Sequence, residues 1–118
     1  AAHYGLTNLT NIADVNKQQA DGDSRKILRI EPLHEKWAAF GWYVQRVDGN
    51  DLAAVIAAFD NAKSHAGNQP RVILCDTLMG KGVPFLETRD KNHFISVDAD
   101  EWQKAIAVLD ANKPEGVL

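Results

Sequence analysis

Residues 71–77 constrain the fold of this chain more than any other segment. They follow Pro70 and contain the uninterrupted apolar run of residues 72–75. A short apolar run without alternation is typical of a strand that is covered on both faces. Residues 9–15 and 42–47 have the composition of two further strands, because β-branched and aromatic residues favour extended structure.

Two helical patterns separate these strands. Pro32 suits the first turn of one helix, which Gly41 ends, and Asn50 or Asp51 can cap the second, with Gly67 beyond its end. Apolar residues fall on one face of each helix, as in helices that pack on a core. They are Leu33, Trp37 and Phe40 in the first helix and Leu52, Val55, Ile56 and Phe59 in the second. The many alanines of the second permit close approach to a sheet.

A third helix is predicted near the end of the chain. Asp98 and Glu101 resemble a capping box, and the helix should end near Asn112, with Pro114 as its stop. An apolar stripe at helical spacing predicts that this helix is docked on the core. The stripe consists of Trp102, Ile106 and Leu109.

The order strand, helix, strand, helix, strand, helix predicts an α/β fold, with a parallel β-sheet, flanking helices and right-handed crossovers (β-α-β-α-β-α). Residues 17–30 show no sustained period, which predicts a loop. Residues 1–6 have the pattern of a last helical turn that stops at Gly5, and so suggest a preceding element.

Composition excludes several classes of protein. The 118 residues fit one domain, and 13 Lys and Arg against 16 Asp and Glu leave a net charge of −3 without a basic block, so no nucleic-acid partner is expected. No apolar segment approaches the roughly 18 residues of a membrane span, and no signal-peptide pattern is present. Cys75, the one cysteine, lies in an apolar run, which predicts a buried thiol in a reducing compartment. We therefore expect a cytoplasmic protein without a membrane partner.

The first strand ends in polar residues that could form a site. In open α/β sheets, ligands lie beyond the carboxyl ends of the strands. Asp14, Asn16 and the backbone around Gln18 are therefore candidates. The alternative is a strand end capped by turn-forming residues, since Asn and Asp bond locally to the backbone in many turns.

A glycine-rich segment, residues 78–85, directly follows the third strand. Its two glycines flank Lys81, so the backbone could approach a ligand closely while Lys81 faces an anion; a plain turn is the alternative. The segment is not a Walker loop, because Cys75 stands in place of the first glycine. It is not a dinucleotide fingerprint either, because Phe85 replaces the third glycine. A nucleotide-binding or NAD-type module is therefore disfavoured.

Four segments in this order resemble the thiamine diphosphate-binding domain of transketolases. They are residues 8–18 (NLTNIADVNKQ), 36–42 (KWAAFGW), 47–51 (VDGND) and 76–85 (DTLMGKGVPF), with His93 after them. The resemblance covers about residues 1–95. It implies the fold of that domain and the chemistry of enzymes that use thiamine diphosphate and Mg²⁺ to move a two-carbon ketol unit from a ketose phosphate to an aldose phosphate.

The resemblance also assigns roles to individual residues. Asn16 would ligate Mg²⁺ through its side-chain oxygen and Gln18 through its backbone carbonyl, both hard oxygen ligands of the kind that Mg²⁺ requires. Met79 would pack near the thiazolium ring. His93 would lie near the diphosphate or the substrate as a catalytic residue, although Phe94 follows it where the family commonly has glycine.

Two departures from the family predict that this chain is only part of a domain. The sequence lacks the Gly-Asp-Gly motif whose Asp is a principal Mg²⁺ ligand in the family, and nothing in it corresponds to the second domain that supplies the activating glutamate. Residues 1–118 would then be the C-terminal portion of a transketolase-like diphosphate-binding domain. Such a chain should bind the cofactor poorly and be inactive alone.

An incomplete domain should also need a partner. Its open sheet edge and uncovered apolar surface predict a homo-oligomer, or association with the missing transketolase regions or subunit. The alternative reading of the chain is a non-catalytic α/β module that associates with itself and has lost cofactor binding.

Overall fold

The computed structural model describes residues 1–113, so the predicted stop at Pro114 lies outside the described residues. The chain forms a small α/β structure of short strands and helices. The strands are β1 (Thr10–Val15), β2 (Gln18–Gln19), β3 (Gly22–Asp23), β4 (Tyr43–Asp48) and β5 (Arg71–Asp76); the helices are α1 (Ser24–Ile27), α2 (Leu33–Ala39), α3 (Leu52–Ser64), α4 (Pro84–Glu87) and α5 (Ala99–Ala111).

A three-stranded parallel sheet organises the chain. β5 lies in the middle and pairs with β1 on one side and β4 on the other, so the order is β1-β5-β4. Val15 and Asp48 both align with Asp76, and the three strands therefore end level with one another. The predicted parallel sheet with flanking helices is confirmed.

The core consists of the two faces of β5. Val72 and Leu74 pack on one face with residues from β1, β4 and α2, including Trp37, which meets Trp42 edge to face at 4.8 Å. Ile73 packs on the other face, against α3. Because Val72, Ile73 and Leu74 have no exposed surface, the predicted strand covered on both faces is confirmed.

Cys75 continues the α3 side of β5 and is buried, as its apolar neighbours predicted. Burial raises the pKa of its thiol, and the nearby Asp14 and Asp76 raise it further. The thiol therefore stays protonated and unreactive at neutral pH.

The predicted core face of α3 is only partly right, because Phe59 packs against the core and Val55 is half-buried but the other two predicted residues are exposed. Leu52 is 73% exposed and Ile56 is 52% exposed, whereas Ala58 and Ala62 are buried. Alanine has no side chain beyond Cβ, so the helix backbone can lie close to the sheet, and Gln45 of β4 donates a hydrogen bond to the Ala58 carbonyl over 2.9 Å. The helix begins as predicted, with Asp51 accepting hydrogen bonds from two backbone amides.

Two further expectations about apolar residues are wrong. Phe40, at the end of α2, is 76% exposed, although Leu33 and Trp37 of that helix do pack against the core. In α5 the cap at Asp98 and the end at Asn112 are confirmed, but the stripe is exposed and only Ala105 is buried. The exposed residues of the stripe are Trp102, Ile106 and Leu109.

Residues 17–30 are more ordered than predicted. They contain the two-residue strands β2 and β3, paired antiparallel as a hairpin, and the single-turn helix α1. Elements of two to four residues are too short to produce a hydrophobic period, so the sequence could not reveal them. Asp23 caps α1 and pairs with Arg25, whose hydrogen bonds lower the pKa of Asp23 to about 2.

The first residues form a tight turn that agrees with the predicted end of a helix. Gly5 donates to the Ala2 carbonyl, Leu6 donates to the Ala1 carbonyl, and Gly5 has φ +60°. These two bonds and the left-handed glycine have the pattern of a Schellman motif. None of the helices within residues 1–113 has the length and apolarity that crossing a membrane requires.

A close contact holds β4 and β5 together at their carboxyl ends. The Gly49 amide donates to the Asp76 carbonyl over 2.7 Å. A Cβ atom at position 49 would lie 2.6 Å from Thr77 and 2.7 Å from Cys75, too close for any side chain. Glycine is therefore required where the chain leaves β4.

Candidate functional site

The level carboxyl ends of the three strands border an open cleft of about 930 Å³. Residues from the hairpin loop, from the segment after β5 and from residues 87–91 form its walls. Loops at the carboxyl ends of parallel strands are where α/β folds carry their ligand sites. The cleft is therefore the candidate site.

A polar network joins the ends of β1 and β5. Thr77 hydrogen-bonds through its hydroxyl to one carboxylate oxygen of Asp14, and the Asn16 amide nitrogen donates to the other over 3.2 Å. These contacts turn the amide nitrogen of Asn16 toward Asp14 and leave its oxygen to face the next residues. A carboxylate that orients an amide in this way can prepare its oxygen for a ligand.

The Asn16 oxygen lies against the following backbone. It accepts a hydrogen bond from the Gln18 amide over 2.9 Å, and the intervening Lys17 has φ +63°, a left-handed conformation that is uncommon for a residue other than glycine. An amide oxygen has two lone pairs, so Asn16 keeps one for a further donor or a cation. The segment from Asn16 to Gln18 is a tight turn held in an unfavourable backbone conformation.

An ion-pair network borders the cleft on the β4 side. Arg46 binds both carboxylate oxygens of Asp76, over 2.7 and 2.8 Å, and reaches Glu31 over 2.7 Å. Its hydrogen bonds lower the pKa of both carboxyl groups, while the two carboxylates raise the pKa of the guanidinium. All three groups are therefore charged at neutral pH.

The glycine-rich segment folds into consecutive turns beside the cleft. Gly80 and Gly82 have φ +74° and φ +95°, and a Cβ atom at Gly80 would lie 2.6 Å from Leu86. Asn50 accepts from the Leu78 amide over 2.8 Å and so joins this segment to the end of β4. Lys81 is exposed and lines the cleft, where it could face an anion.

A second loop, residues 88–93, lies beside the turn that follows β1. The Gln18 side chain bonds this loop at two points, the Arg89 carbonyl over 3.4 Å and the Asn92 amide over 3.0 Å. His93 follows Asn92, is exposed, and meets Phe94 edge to face at 4.6 Å.

The predicted site residues divide into two groups. Asn16 and Gln18 line the cleft. Met79, half-buried at the start of the glycine turns, and His93 flank the cleft without lining it. Within the described part of the chain, no three His, Cys, Asp or Glu side chains are grouped to hold a metal ion.

Arg46 and Asp76 were missed as cleft residues in the sequence. Both lie at or near the ends of strands. The one sequence signal that could have identified them is a charged residue within a segment that otherwise has the composition of a strand. Their pairing depends on the register of β4 against β5, which no local pattern reveals.

The oxygen atoms of Asn16 and Gln18 fit a hard cation. One side-chain amide oxygen and one backbone carbonyl are donors that Mg²⁺ accepts, and they lie two residues apart on one turn. Neither carries a formal charge, so these two donors would supply only part of a coordination sphere.

A family comparison matches residues 1–115 to the family described as transketolase, thiamine diphosphate binding domain. A putative uncharacterized transketolase family protein, y4mO of Sinorhizobium fredii, is 58% identical over 111 residues, which are 94% of this chain and 40% of that protein. The 6-deoxy-6-sulfo-D-fructose transketolase subunit SqwG of a Clostridium species is 38% identical over 105 residues, 89% of this chain and 38% of that protein. The chain thus spans about two fifths of the length of these relatives.

Solved transketolase structures share the fold. Transketolase of Pichia stipitis in complex with sedoheptulose 7-phosphate superposes with a TM-score of 0.75 at 27% identity, covering 89% of this chain and 15% of that one. Transketolase of Campylobacter jejuni gives a TM-score of 0.67 at 26% identity, covering 79% of this chain and 14% of that one.

Proposed function

Because the chain belongs to the transketolase thiamine diphosphate-binding domain family, we propose that its cleft forms part of a thiamine diphosphate and Mg²⁺ site in a ketol-transferring enzyme. The observation that carries the proposal is that Asn16, Gln18 and Lys81 all line one cleft at the carboxyl ends of the strands. Two oxygen donors for a cation and one ammonium group for an anion suit a metal diphosphate.

The metal-binding part of the proposal rests on the turn after β1. Asn16 would ligate Mg²⁺ through its side-chain oxygen and Gln18 through its carbonyl. Asp14 supports this assignment, because its carboxylate holds the Asn16 amide nitrogen and so leaves the oxygen for the metal. Lys81 would neutralise part of the diphosphate charge.

Met79 and His93 would complete the surroundings of the cofactor. Met79 would pack near the thiazolium ring, and His93 would act near the diphosphate or the substrate. When bound, the cofactor supplies the carbanion chemistry for two-carbon ketol transfer between sugar phosphates.

The chain would need further polypeptide to be active. Two uncharged oxygen donors leave most of the Mg²⁺ coordination and charge to other groups. The radius of gyration is 17.5 Å, above the roughly 13–14 Å of a compact domain of this length, as expected for a layer that packs on something else. The partner would be the remaining transketolase regions, a separate subunit, or a second copy of the chain, in the cytoplasm. SqwG is named as a transketolase subunit, which favours a divided enzyme.

The test is a titration of the isotope-labelled chain with thiamine diphosphate and Mg²⁺, followed by NMR. We expect saturable shifts of the amides from Asn16 to Gln18 and of Lys81, with a Kd weaker than about 1 mM. Asn16→Ala should abolish them, whereas the control Asn61→Ala, at an exposed position on α3, should not.

Two results would contradict the proposal, one its location of the site and the other its need for a partner. Saturable shifts that avoid this turn and Lys81 would place the ligand elsewhere and refute the site. Micromolar binding accompanied by ketol transfer by the purified chain would refute the need for a partner.

A second candidate function is self-association without catalysis. The exposed apolar residues of α3 and α5 favour it, because such surface is commonly covered in an assembly. Sedimentation velocity at several concentrations separates the two: a dimer without any ligand-induced shift supports association alone.

A further inference from the structure

The Gln18 side chain spans two loops that are far apart in the sequence. We propose that Gln18 is a positioning residue whose side chain fixes the loop of residues 88–93, and with it His93, relative to the turn that carries Asn16. This role is separate from the carbonyl ligand already proposed for Gln18. It rests on the proposed function only in taking His93 as the residue that is positioned.

Both polar atoms of the side chain contact the same loop. Its oxygen accepts the Asn92 amide over 3.0 Å, and its nitrogen donates to the Arg89 carbonyl over 3.4 Å. The contacts join residues 74 and 71 positions apart. Because both partners belong to the backbone, the contact constrains the path of the loop whatever its side chains do.

The loop is anchored immediately before His93. Asn92 is only 7% exposed, and its side-chain nitrogen donates to the Leu86 carbonyl. Lys91, the residue before Asn92, has φ +56°, a left-handed conformation that is uncommon for a residue other than glycine. A buried backbone amide is costly to leave unpaired, and Gln18 is its partner. The anchored Asn92 therefore fixes where His93 begins.

The other end of the loop is attached to a different element. Arg89 pairs with Glu101 of α5, and its guanidinium lies 5.9 Å from the centre of the Phe85 ring. These contacts hold the loop to α4 and α5 but not to β1. The Gln18 side chain supplies the connection to the Asn16 turn, which the Gln18 amide closes by donating to the Asn16 side-chain oxygen. A displacement of the Asn16 turn should therefore displace the loop of residues 88–93, and the reverse.

Three variants test this role in the full chain. Gln18→Leu keeps the size of the side chain and removes both hydrogen bonds, whereas Gln18→Glu keeps an acceptor for Asn92. Gln19→Leu is the matched control, since Gln19 is the neighbouring strand residue and its side chain makes no hydrogen bond within residues 1–113. The readout is hydrogen exchange of the Asn92 amide, with the Val72 and Leu74 amides as a measure of the intact core.

We expect Gln18→Leu to speed exchange at Asn92 by about tenfold without affecting the core amides, as loss of one buried hydrogen bond predicts. Gln18→Glu should restore protection, and Gln19→Leu should leave it unchanged. Unaltered Asn92 exchange in Gln18→Leu would overturn the inference. If Gln18→Leu also loses core protection, Gln18→Ser, whose side chain is too short to reach the loop, answers the same question by the same criteria.

A second readout reports the position of His93. Mn²⁺ added with thiamine diphosphate should broaden the His93 ring signals in the wild-type chain, and Gln18→Leu should weaken this broadening relative to that at Asn16. Equal broadening of His93 in both proteins would overturn the positioning role. Absence of broadening at Asn16 itself would count against the metal site and not against the contact, which the exchange measurement tests without any ligand.

Discussion

β5 and α5 carry similarly apolar residues but bury them to very different extents. Val72, Ile73 and Leu74 have no exposed surface because helices cover both faces of the strand, while Trp102 of α5 is 61% exposed. The difference shows that an apolar pattern identifies an element but does not reveal whether its surface is covered. The stability of the isolated chain should therefore reside around β5, and α5 should have its apolar side available.

The largest expected effect concerns the centre of β5. Ile73→Ala should lower the free energy of unfolding by about 2–5 kcal/mol, because it leaves a cavity between the sheet and α3. Urea denaturation followed by circular dichroism measures the loss. The matched control is Ile106→Ala on α5, which should cost far less since that side chain is 44% exposed. Equal losses at the two positions would remove the distinction between β5 and α5.

The helix caps extend the comparison to the helices. Asp51→Ala should cost about 1 kcal/mol, because α3 packs on the sheet and its first amides lose their acceptor. Asp98→Ala removes an equivalent cap from α5, and there the loss should be seen as faster local amide exchange with a smaller change in global unfolding. A global loss for Asp98→Ala as large as that for Asp51→Ala would show that α5 is part of the cooperative core.

The carboxyl end of β5 should contribute through charge. Arg46→Met removes the partner of Asp76 and Glu31, and since all three side chains are about a third or more exposed, the cost at neutral pH should be about 1 kcal/mol or less. The paired carboxyl groups have lowered pKa values when folded, so their contribution is complete above about pH 5 and is lost as the pH falls through those lowered values.

Urea midpoints between pH 7 and pH 2.5 measure this dependence. Arg46→Met should flatten the acid branch, whereas Lys63→Met, which removes a cation from the exposed side of α3, should leave it unchanged. An acid branch as steep in Arg46→Met as in the wild type would show that other carboxyl groups set it.

The smallest expected effect lies on α5. Trp102→Ala removes the largest side chain of the stripe, yet its exposure predicts a change in stability within about 0.5 kcal/mol. Thermal unfolding measures it at low protein concentration. A loss approaching that of Ile73→Ala would mean that the helix is docked in solution and that the apparent contrast is wrong.

Much of the fold followed from local sequence. Alternation of strands with helices, the caps at Asp51 and Asp98, and the buried run of β5 were predicted because each depends on neighbouring residues. The central position of β5 in the order β1-β5-β4 was not predictable, since it depends on how distant segments pair.

The helical faces show why the remaining errors arose. Leu52 and Ile56 suggested the core side of α3, but both are exposed. The small side chains of Ala58 and Ala62 are buried instead and let the helix backbone lie close to the sheet. Which face of α3 is buried therefore depends on how closely the helix and the sheet can pack, and the spacing of apolar residues along the helix does not determine that distance.

In the candidate site, too, features that depend on neighbouring residues were predicted and features that depend on distant segments were not. Asn16 and Gln18 were found because both lie where a strand gives way to a turn, and both line the cleft. Arg46 reaches Asp76 only because β4 and β5 share a parallel register that aligns Asp48 with Asp76. The contact of Gln18 with Asn92 spans 74 positions and has no local signature.

Gly49 limits how this cleft could be redesigned. A library that randomises the rim at Lys81 can explore new ligands, since that side chain is exposed and lines the cleft. Position 49 should tolerate no such variation, because even a methyl group there would wedge the two strands apart beneath the rim. Engineers seeking a different specificity would therefore vary the loops and leave this one glycine untouched.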